Sequence, residues 1–399
     1  MAVSPDFSRL TNFGWTSPPR AWVGVCLAFI CLLPVGGNGQ VSSPLDSPSN
    51  QAATIREAGS VKNVIIGAAA DPRHLGEAPY ASTLSSEFRQ LEPENQMKFA
   101  HIHPRSGNDP GAYEFSPADQ LVAFAQQHNM LVRGHCFVWH EQVAGWVTAG
   151  VANGTYSPAA LSEILHSHIS TVARHYAGKV WAWDVVNEAF KDDGTKRSTV
   201  WYDAPGIGFA GKSTAYIEQA FRWARASDPA AKLFYNDYDT ERVNPKSDAI
   251  YAMAKDFRSR GVPLDGIGFQ MHINLSFNDP DTLSSFTRNL KRFSDLGLEI
   301  HITELDVALD SNDAPSLTAQ AAIYGKVAEI CLQTPTCKVL QTWGFTDNIL
   351  GFPAIVTAAT DGLCHSTQTT KENQPTAPCC MRCKRRNAVE ARLFRSCVV

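Results

Sequence analysis

Residues 180–188 read Val-Trp-Ala-Trp-Asp-Val-Val-Asn-Glu, and residues 298–304 read Leu-Glu-Ile-His-Ile-Thr-Glu. Each is a short, mostly apolar run that ends abruptly in a glutamate. Near-continuous hydrophobicity of this kind is what a strand covered on both faces requires. Working outward, six further runs share the pattern: 64–69, 92–99, 131–139, 232–236, 266–272 and 338–345. Segments with helical spacing of apolar residues lie between them, at 116–128, 158–176, 213–226, 246–260, 281–296 and 317–333. Ser116-Pro117 and Ser157-Pro158 have the chemistry of helix starts, a capping hydroxyl followed by proline at the first helical position. Eight strands alternating with helices, with no Gly-x-Gly-x-x-Gly after the first, predict an α/β fold of the (β/α)8 barrel type over a dinucleotide-binding fold.

Such barrels build their sites at the C-terminal ends of the strands. Polar and aromatic residues collect at those positions: Glu94, Asn95 and Lys98; His135, Trp139 and His140; Asn187 and Glu188; Asn236 and Asp237; Gln270 and His272; Glu304 and Asp306; Trp343. Any one of them alone reads best as a cap or loop residue. Seven consecutive strand ends of this character point to a site.

The rest of the chain bounds the chemistry. With 399 residues, a formal charge of -4 and no basic bias, nucleic acid has no electrostatic attraction here. Arg20, the apolar stretch 21–35 and the small residues at 36–40 have the layout of a secretory signal peptide, too short for a spanning helix. We expect a signal over 1–40, a Ser/Pro/Asn-rich linker over 41–60 and the catalytic domain over 61–347. Of the ten cysteines, Cys136, Cys331 and Cys337 lie in the body, and Cys331 with Cys337 is the plausible local disulfide. Cys136 is left as a buried thiol. His166 and His168 lie on a helix and are expected to face solvent. No His-Glu-x-x-His helix, Gly-x-Ser-x-Gly elbow or phosphate loop is present, so neither metal nor cofactor is expected. Carboxylates, amides and tryptophans suit a sugar polymer, and two carboxyl groups suffice to hydrolyse a glycosidic bond.

At these residues the chain resembles glycoside hydrolase family 10, the endo-1,4-β-xylanases. The resemblance rests on 93–98 (Pro-Glu-Asn-Gln-Met-Lys), Arg133-Gly134-His135, Val138-Trp139-His140, 183–189 (Trp-Asp-Val-Val-Asn-Glu-Ala), 268–272 (Gly-Phe-Gln-Met-His), 302–306 (Ile-Thr-Glu-Leu-Asp) and 342–347 (Thr-Trp-Gly-Phe-Thr-Asp), in the family's order. It implies Glu188 as acid/base and Glu304 as nucleophile of a retaining double displacement on xylan and xylo-oligosaccharides. By the same resemblance Asn187 bonds the sugar 2-hydroxyl, and His272 with Asp306 supports Glu304. Glu94, Asn95, Lys98, His135, Trp139, Gln142, Gln270 and Trp343 would line the glycone subsites. In such a pair an ionised nucleophile keeps its partner protonated until the glycosyl-enzyme forms, and the partner then serves as base. The product would be a secreted, monomeric xylanase. A cellulase or mannanase on a related barrel is the alternative within enzymes, and a dead xylan-binding barrel the alternative outside them.

After Asp347 the family pattern stops. The family continues with a second Trp-bearing loop, an acidic turn and a Lys-Pro-Ala-Tyr segment, whereas this chain runs into a Thr-rich stretch and Cys379-Cys380-Met381-Arg382-Cys383. Discarding two bases at the Asn348 codon and reading on in the shifted frame restores the missing pieces. Codons from Asn348 to Ala354 can then spell His-Ser-Trp-Ile-Pro-Gly. Those from Asp361 to Thr370 can spell Trp-Ala-Leu-Pro-Phe-Asp-Ala-Asp-Tyr, and those from Lys371 to Thr376 Gly-Lys-Pro-Ala-Tyr. Both Trp codons need a following Gly codon, which Gly351 and Gly362 supply. A frameshift near Asn348 is therefore expected, with 348–399 an aberrant tail, the last barrel helix missing, and stability reduced.

Overall fold

The computed structural model describes residues 54–203, 214–311 and 313–346. Strands β1 (Ile65–Ala70), β2 (Gln90–Pro93), β3 (Leu131–Val138), β4 (Ala182–Asn187), β5 (Lys232–Asp237), β6 (Gly266–Phe269), β7 (His272–Asn274), β8 (Glu299–Ala308) and β9 (Cys337–Thr342) form the framework. The sheet order is β6-β5-β4-β3-β2-β1-β9-β8, and a parallel β6–β8 pairing closes it into an eight-stranded barrel. The short β7 adds to β8 at the mouth. The predicted (β/α)8 barrel is thus the observed one.

The helices explain themselves from sequence. In the helix Pro280–Asp295 the side chain of Asp279 accepts from the Thr282 N–H at 2.8 Å and Pro280 opens the first turn. Its buried residues Phe286, Asn289, Leu290 and Phe293 recur every three or four positions, the spacing of one helical face. Ser157 caps Pro158–His175 as expected, but Ser116 is itself the first residue of its helix and makes no capping bond.

Three expectations need correction, and two helices had not been expected. The linker does not extend to residue 60, because Thr54 caps a helix over Ile55–Val61 whose Ile55 and Ala58 are buried. There Arg56 donates to the carbonyls of Ser85, Phe88, His128 and Asn129, which ties this helix to the lower rim of the barrel. The second strand ends at Pro93 and the residues after it turn into a short helix at Phe99–Ile102, since proline withdraws a donor and the polar run beyond lines the mouth. Helices at Ala78–Glu87 and Gly145–Ala152 had no clear periodic signal. His168 does not face solvent. It lies on the buried stripe with Leu161, Leu165, Ile169 and Val172 and stacks on Phe99 with centroids 3.9 Å apart.

Two glycines make room for neighbouring side chains, Gly134 for Trp183 on the helix-facing side of the barrel and Gly268 for Asn236 on the inside. A Cβ at Gly134 would lie 2.1 Å from the Trp183 ring, and one at Gly268 would lie 2.2 Å from Asn236 Oδ1. The Cys331–Cys337 disulfide forms and Cys136 is a buried free thiol. Among the described residues no helix is long and apolar enough to cross a membrane. The expected signal peptide and most of the expected linker lie outside the described residues, as do Asp347 and the tail.

Candidate active site

Parallel pairing of β4 with β5 sets Asn187 level with Asn236. The two side chains meet, with Asn236 Nδ2 donating to Asn187 Oδ1 at 2.9 Å. Asn236 Nδ2 also donates to Glu304 Oε1 at 2.8 Å, and Asn187 Nδ2 donates to Glu188 Oε1 at 3.0 Å. A chain of two amides therefore links the two carboxylates across the barrel mouth. Gln270 Nε2, at the end of β6, donates to Glu188 Oε1 at 3.0 Å and to Asn187 Oδ1 at 3.2 Å. Trp139 Nε1 donates to Glu188 Oε2 at 2.9 Å.

Glu304 has a different environment. His272 Nε2 bonds Glu304 Oε2 at 3.0 Å, and the other ring nitrogen bonds Asp306 Oδ2 at 2.7 Å. Burial pushes the His272 imidazole down, but the charge and hydrogen bond of Asp306 and the Glu304 carboxylate raise it well above the ordinary histidine value. Burial likewise pushes the Glu304 carboxyl up. The His272 hydrogen bond, the His135 and His272 charges and the Asn236 donor together bring it below the ordinary glutamate value. Glu304 is thus kept as an anion in a buried site, which is what a nucleophile requires.

A cation lies beside the pair. Lys98 Nζ bonds Asn95 Oδ1 at 3.0 Å and stands 5.1 Å from the centroid of Trp139 and 5.5 Å from that of Trp343. His135 meets the edge of Trp343 at 5.7 Å. Glu94 lies farther out, its carboxyl raised by burial and by Asp71 and lowered by Lys98. Of the expected residues, the side chains of Glu94, Gln142 and Trp343 are not hydrogen-bonded into this network, and Trp343 joins it through ring contacts with His135 and His272. Gln142 touches the site region through its backbone carbonyl, which accepts from Ala100.

Beneath the mouth His135 joins a layer whose other members, Arg133, Asp184 and Glu92, had no role assigned from the sequence. Arg133 and His135 both bond Asp184, with Arg133 Nε and His135 Nδ1 each 3.0 Å from Oδ2. Glu92 lies 3.4 Å from His135 Nδ1 and 3.6 Å from Arg133 Nε, and takes a bond from Gln341 Nε2. Burial drives the Glu92 carboxyl up to about 8, against the pull of His135 and Arg133. Glu92, His135 and Glu304 place ligand-type atoms within 4.8 Å of one another. The Arg133 guanidinium and the Lys98 ammonium beside them oppose a metal cation. The available signal for this layer was a charged residue inside an apolar strand run, as at Glu92, Arg133 and Asp184.

Residues 54–350 match the model for glycosyl hydrolase family 10. Endo-1,4-beta-xylanase B of Thermotoga neapolitana is 43% identical over 276 residues, covering 69% of this chain and 75% of that protein. Endo-1,4-beta-xylanase C of Phanerodontia chrysosporium is 33% identical over 368 residues, 88% of each. Among solved structures, xylanase 10B of Thermotoga petrophila in complex with xylobiose superimposes with a TM-score of 0.68 at 44% identity, over 74% of this chain and 87% of that one.

Proposed function

Since this chain belongs to glycosyl hydrolase family 10, we propose that it hydrolyses internal β-1,4-xylosidic bonds of xylan with retention of anomeric configuration. In this reading Glu304 attacks the anomeric carbon while Glu188 protonates the departing oxygen. Water then enters, Glu188 takes its proton, and the xylosyl–Glu304 ester breaks to return the carboxylate. The observation that supports it best is the contrast between the two carboxyl environments. Glu304 is flanked by an imidazole that Asp306 charges, whereas Glu188 accepts hydrogen bonds from neutral amide and indole N–H groups and has His140 Nδ1 at 3.8 Å, an imidazole that burial pushes down to about 4. Asn187 and Asn236 hold the pair in a fixed relation, and Lys98 with Trp139 and Trp343 offers a charged, aromatic wall to sugar hydroxyls and ring faces. Export through the N-terminal signal and action outside the cell complete the proposal.

The test is hydrolysis of xylan against carboxymethyl cellulose, with the anomer of the first product followed by proton NMR. Xylo-oligosaccharides released first as the β-anomer are expected. Release of the α-anomer, or faster cleavage of carboxymethyl cellulose, would sink the assignment.

A further inference from the structure

Glu188 has φ of 55°. A residue with a Cβ enters this left-handed region at a cost, so neighbouring groups must hold it there. The peptide units around it are gripped on every side. The Glu188 N–H donates to the Asn236 carbonyl at 2.9 Å. Its carbonyl accepts from Arg197 Nε at 3.1 Å. The next N–H, of Ala189, donates to the Tyr235 hydroxyl at 2.9 Å.

These grips lead back to one buried ion pair. The Tyr235 hydroxyl donates to Asp237 Oδ2 at 2.5 Å, and Lys246 Nζ lies 2.8 Å from Asp237 Oδ1. Lys246 and Tyr235 are 0% exposed and Asp237 is 1% exposed. On the other side Arg197 Nη2 donates to the Tyr238 hydroxyl at 2.7 Å, and Lys246 Nζ stands 3.3 Å from the centroid of the same ring. A buried ion pair of this kind contributes little net stability against an apolar replacement. Both of its arms, one hydrogen-bonded through Tyr235 and one passing by the Lys246–Tyr238 cation–π contact to Arg197, end on the peptide that aims Glu188.

We propose that Lys246, Asp237, Tyr235, Arg197 and Tyr238 form a clamp that sets the direction of the Glu188 carboxyl, and that they are positioning residues for proton donation to the leaving group. This rests on the reading of Glu188 as the acid/base. The clamp touches neither Glu304 nor His272. Loosening it therefore weakens proton donation and leaves attack by Glu304 intact.

Tyr235→Phe removes one hydroxyl and keeps the ring, so the packing of β5 is preserved. The measurement is kcat/KM, which reports the first irreversible step, formation of the glycosyl-enzyme. On xylotetraose, whose leaving group needs a proton, kcat/KM is expected to fall by about 10- to 100-fold. On 2,4-dinitrophenyl β-xylobioside, whose leaving group departs without one, it is expected to stay within about twofold of the parent. Retained activity on the aryl glycoside also shows that the variant has folded. Lys246→Met should show the same split more strongly. Equal loss on both substrates, or no loss on xylotetraose, overturns the clamp. Glu188→Ala is the control and should show the split, with azide restoring turnover of the aryl glycoside. If that control loses both substrates equally, the acid/base reading fails and the clamp fails with it. If the control splits and Tyr235→Phe does not, the clamp alone is wrong.

Discussion

At the scale of single residues, the site works by giving two glutamates unequal neighbours. Glu304 depends on a cation that is itself maintained by Asp306. Asp306→Asn keeps a hydrogen bond to His272 but removes the charge that raises the imidazole. His272 then loses its proton more readily and stabilises the Glu304 anion less. A carboxyl whose value is lowered by a neighbour rises when that neighbour is neutralised. The acid limb of the kcat/KM profile for xylan hydrolysis is therefore expected to move upward by roughly one pH unit. A limb that stays in place would show that His272 orients Glu304 without tuning it. The same layer of charge explains why Glu92, Arg133 and Asp184 interrupt strands that are otherwise apolar. Inside a barrel each needs a partner, and each has one across the interior.

At the scale of elements, the helix Pro158–His175 packs against Phe99–Ile102 through stacked rings. His168 lies between Phe99 and His103, with centroids at 3.9 Å and 5.5 Å, and neither of its ring nitrogens has a hydrogen-bond partner. Burial, with a smaller contribution from His103, holds the His168 imidazole well below the ordinary histidine value. The sign follows directly. The folded protein leaves His168 neutral, while the unfolded chain protonates it below about pH 6.5. Stability from this group is thus complete above that value and is lost as the pH falls through it. Between pH 7 and pH 5 His168 is therefore expected to make stability fall. His168→Phe keeps the stack and should make the drop in unfolding free energy over that interval smaller, read from urea titrations. An unchanged drop would mean that the imidazole finds a hydrogen-bonding partner when protonated. The periodicity of the helix already placed 168 on the face of 161, 165 and 172, so its burial was legible from spacing, whereas its histidine identity suggested solvent.

At the scale of the whole molecule, the barrel is closed by β1 against β9 and β6 against β8. Phe345, just past β9, packs on Tyr80 and Phe88 at 4.5 Å and 5.3 Å, so the described chain is anchored up to that point. The family match ends at residue 350, close to where the sequence leaves the family's pattern. We propose that the gene carries a frameshift near the Asn348 codon. Sequencing that region must yield codons able to spell the missing Trp and Lys-Pro-Ala-Tyr segments in the shifted frame, and a sequence that cannot do so ends the idea. Restoring the frame is expected to raise the melting temperature by about 10 °C, since each apolar side chain regained by the core is worth about 1.5–3 kcal/mol. Equal melting of the two chains would refute the stability argument.

The sequence by itself determined the barrel, the helix spacing and the two carboxyl residues. Near-continuous apolar strands can be buried only between layers, and the polar residues at their C-terminal ends can then meet only at one mouth. Tertiary structure alone decided how those residues pair. Asn187 reaches Asn236 because β4 and β5 share a register, and Glu188 points inward because Arg197 and Tyr235 hold its backbone left-handed. The contacts of Asn187 with Asn236 and of Ala189 with Tyr235 join residues almost fifty positions apart, and no local pattern encodes them. They depend on which strands become neighbours and on the space that small residues such as Gly268 leave between them.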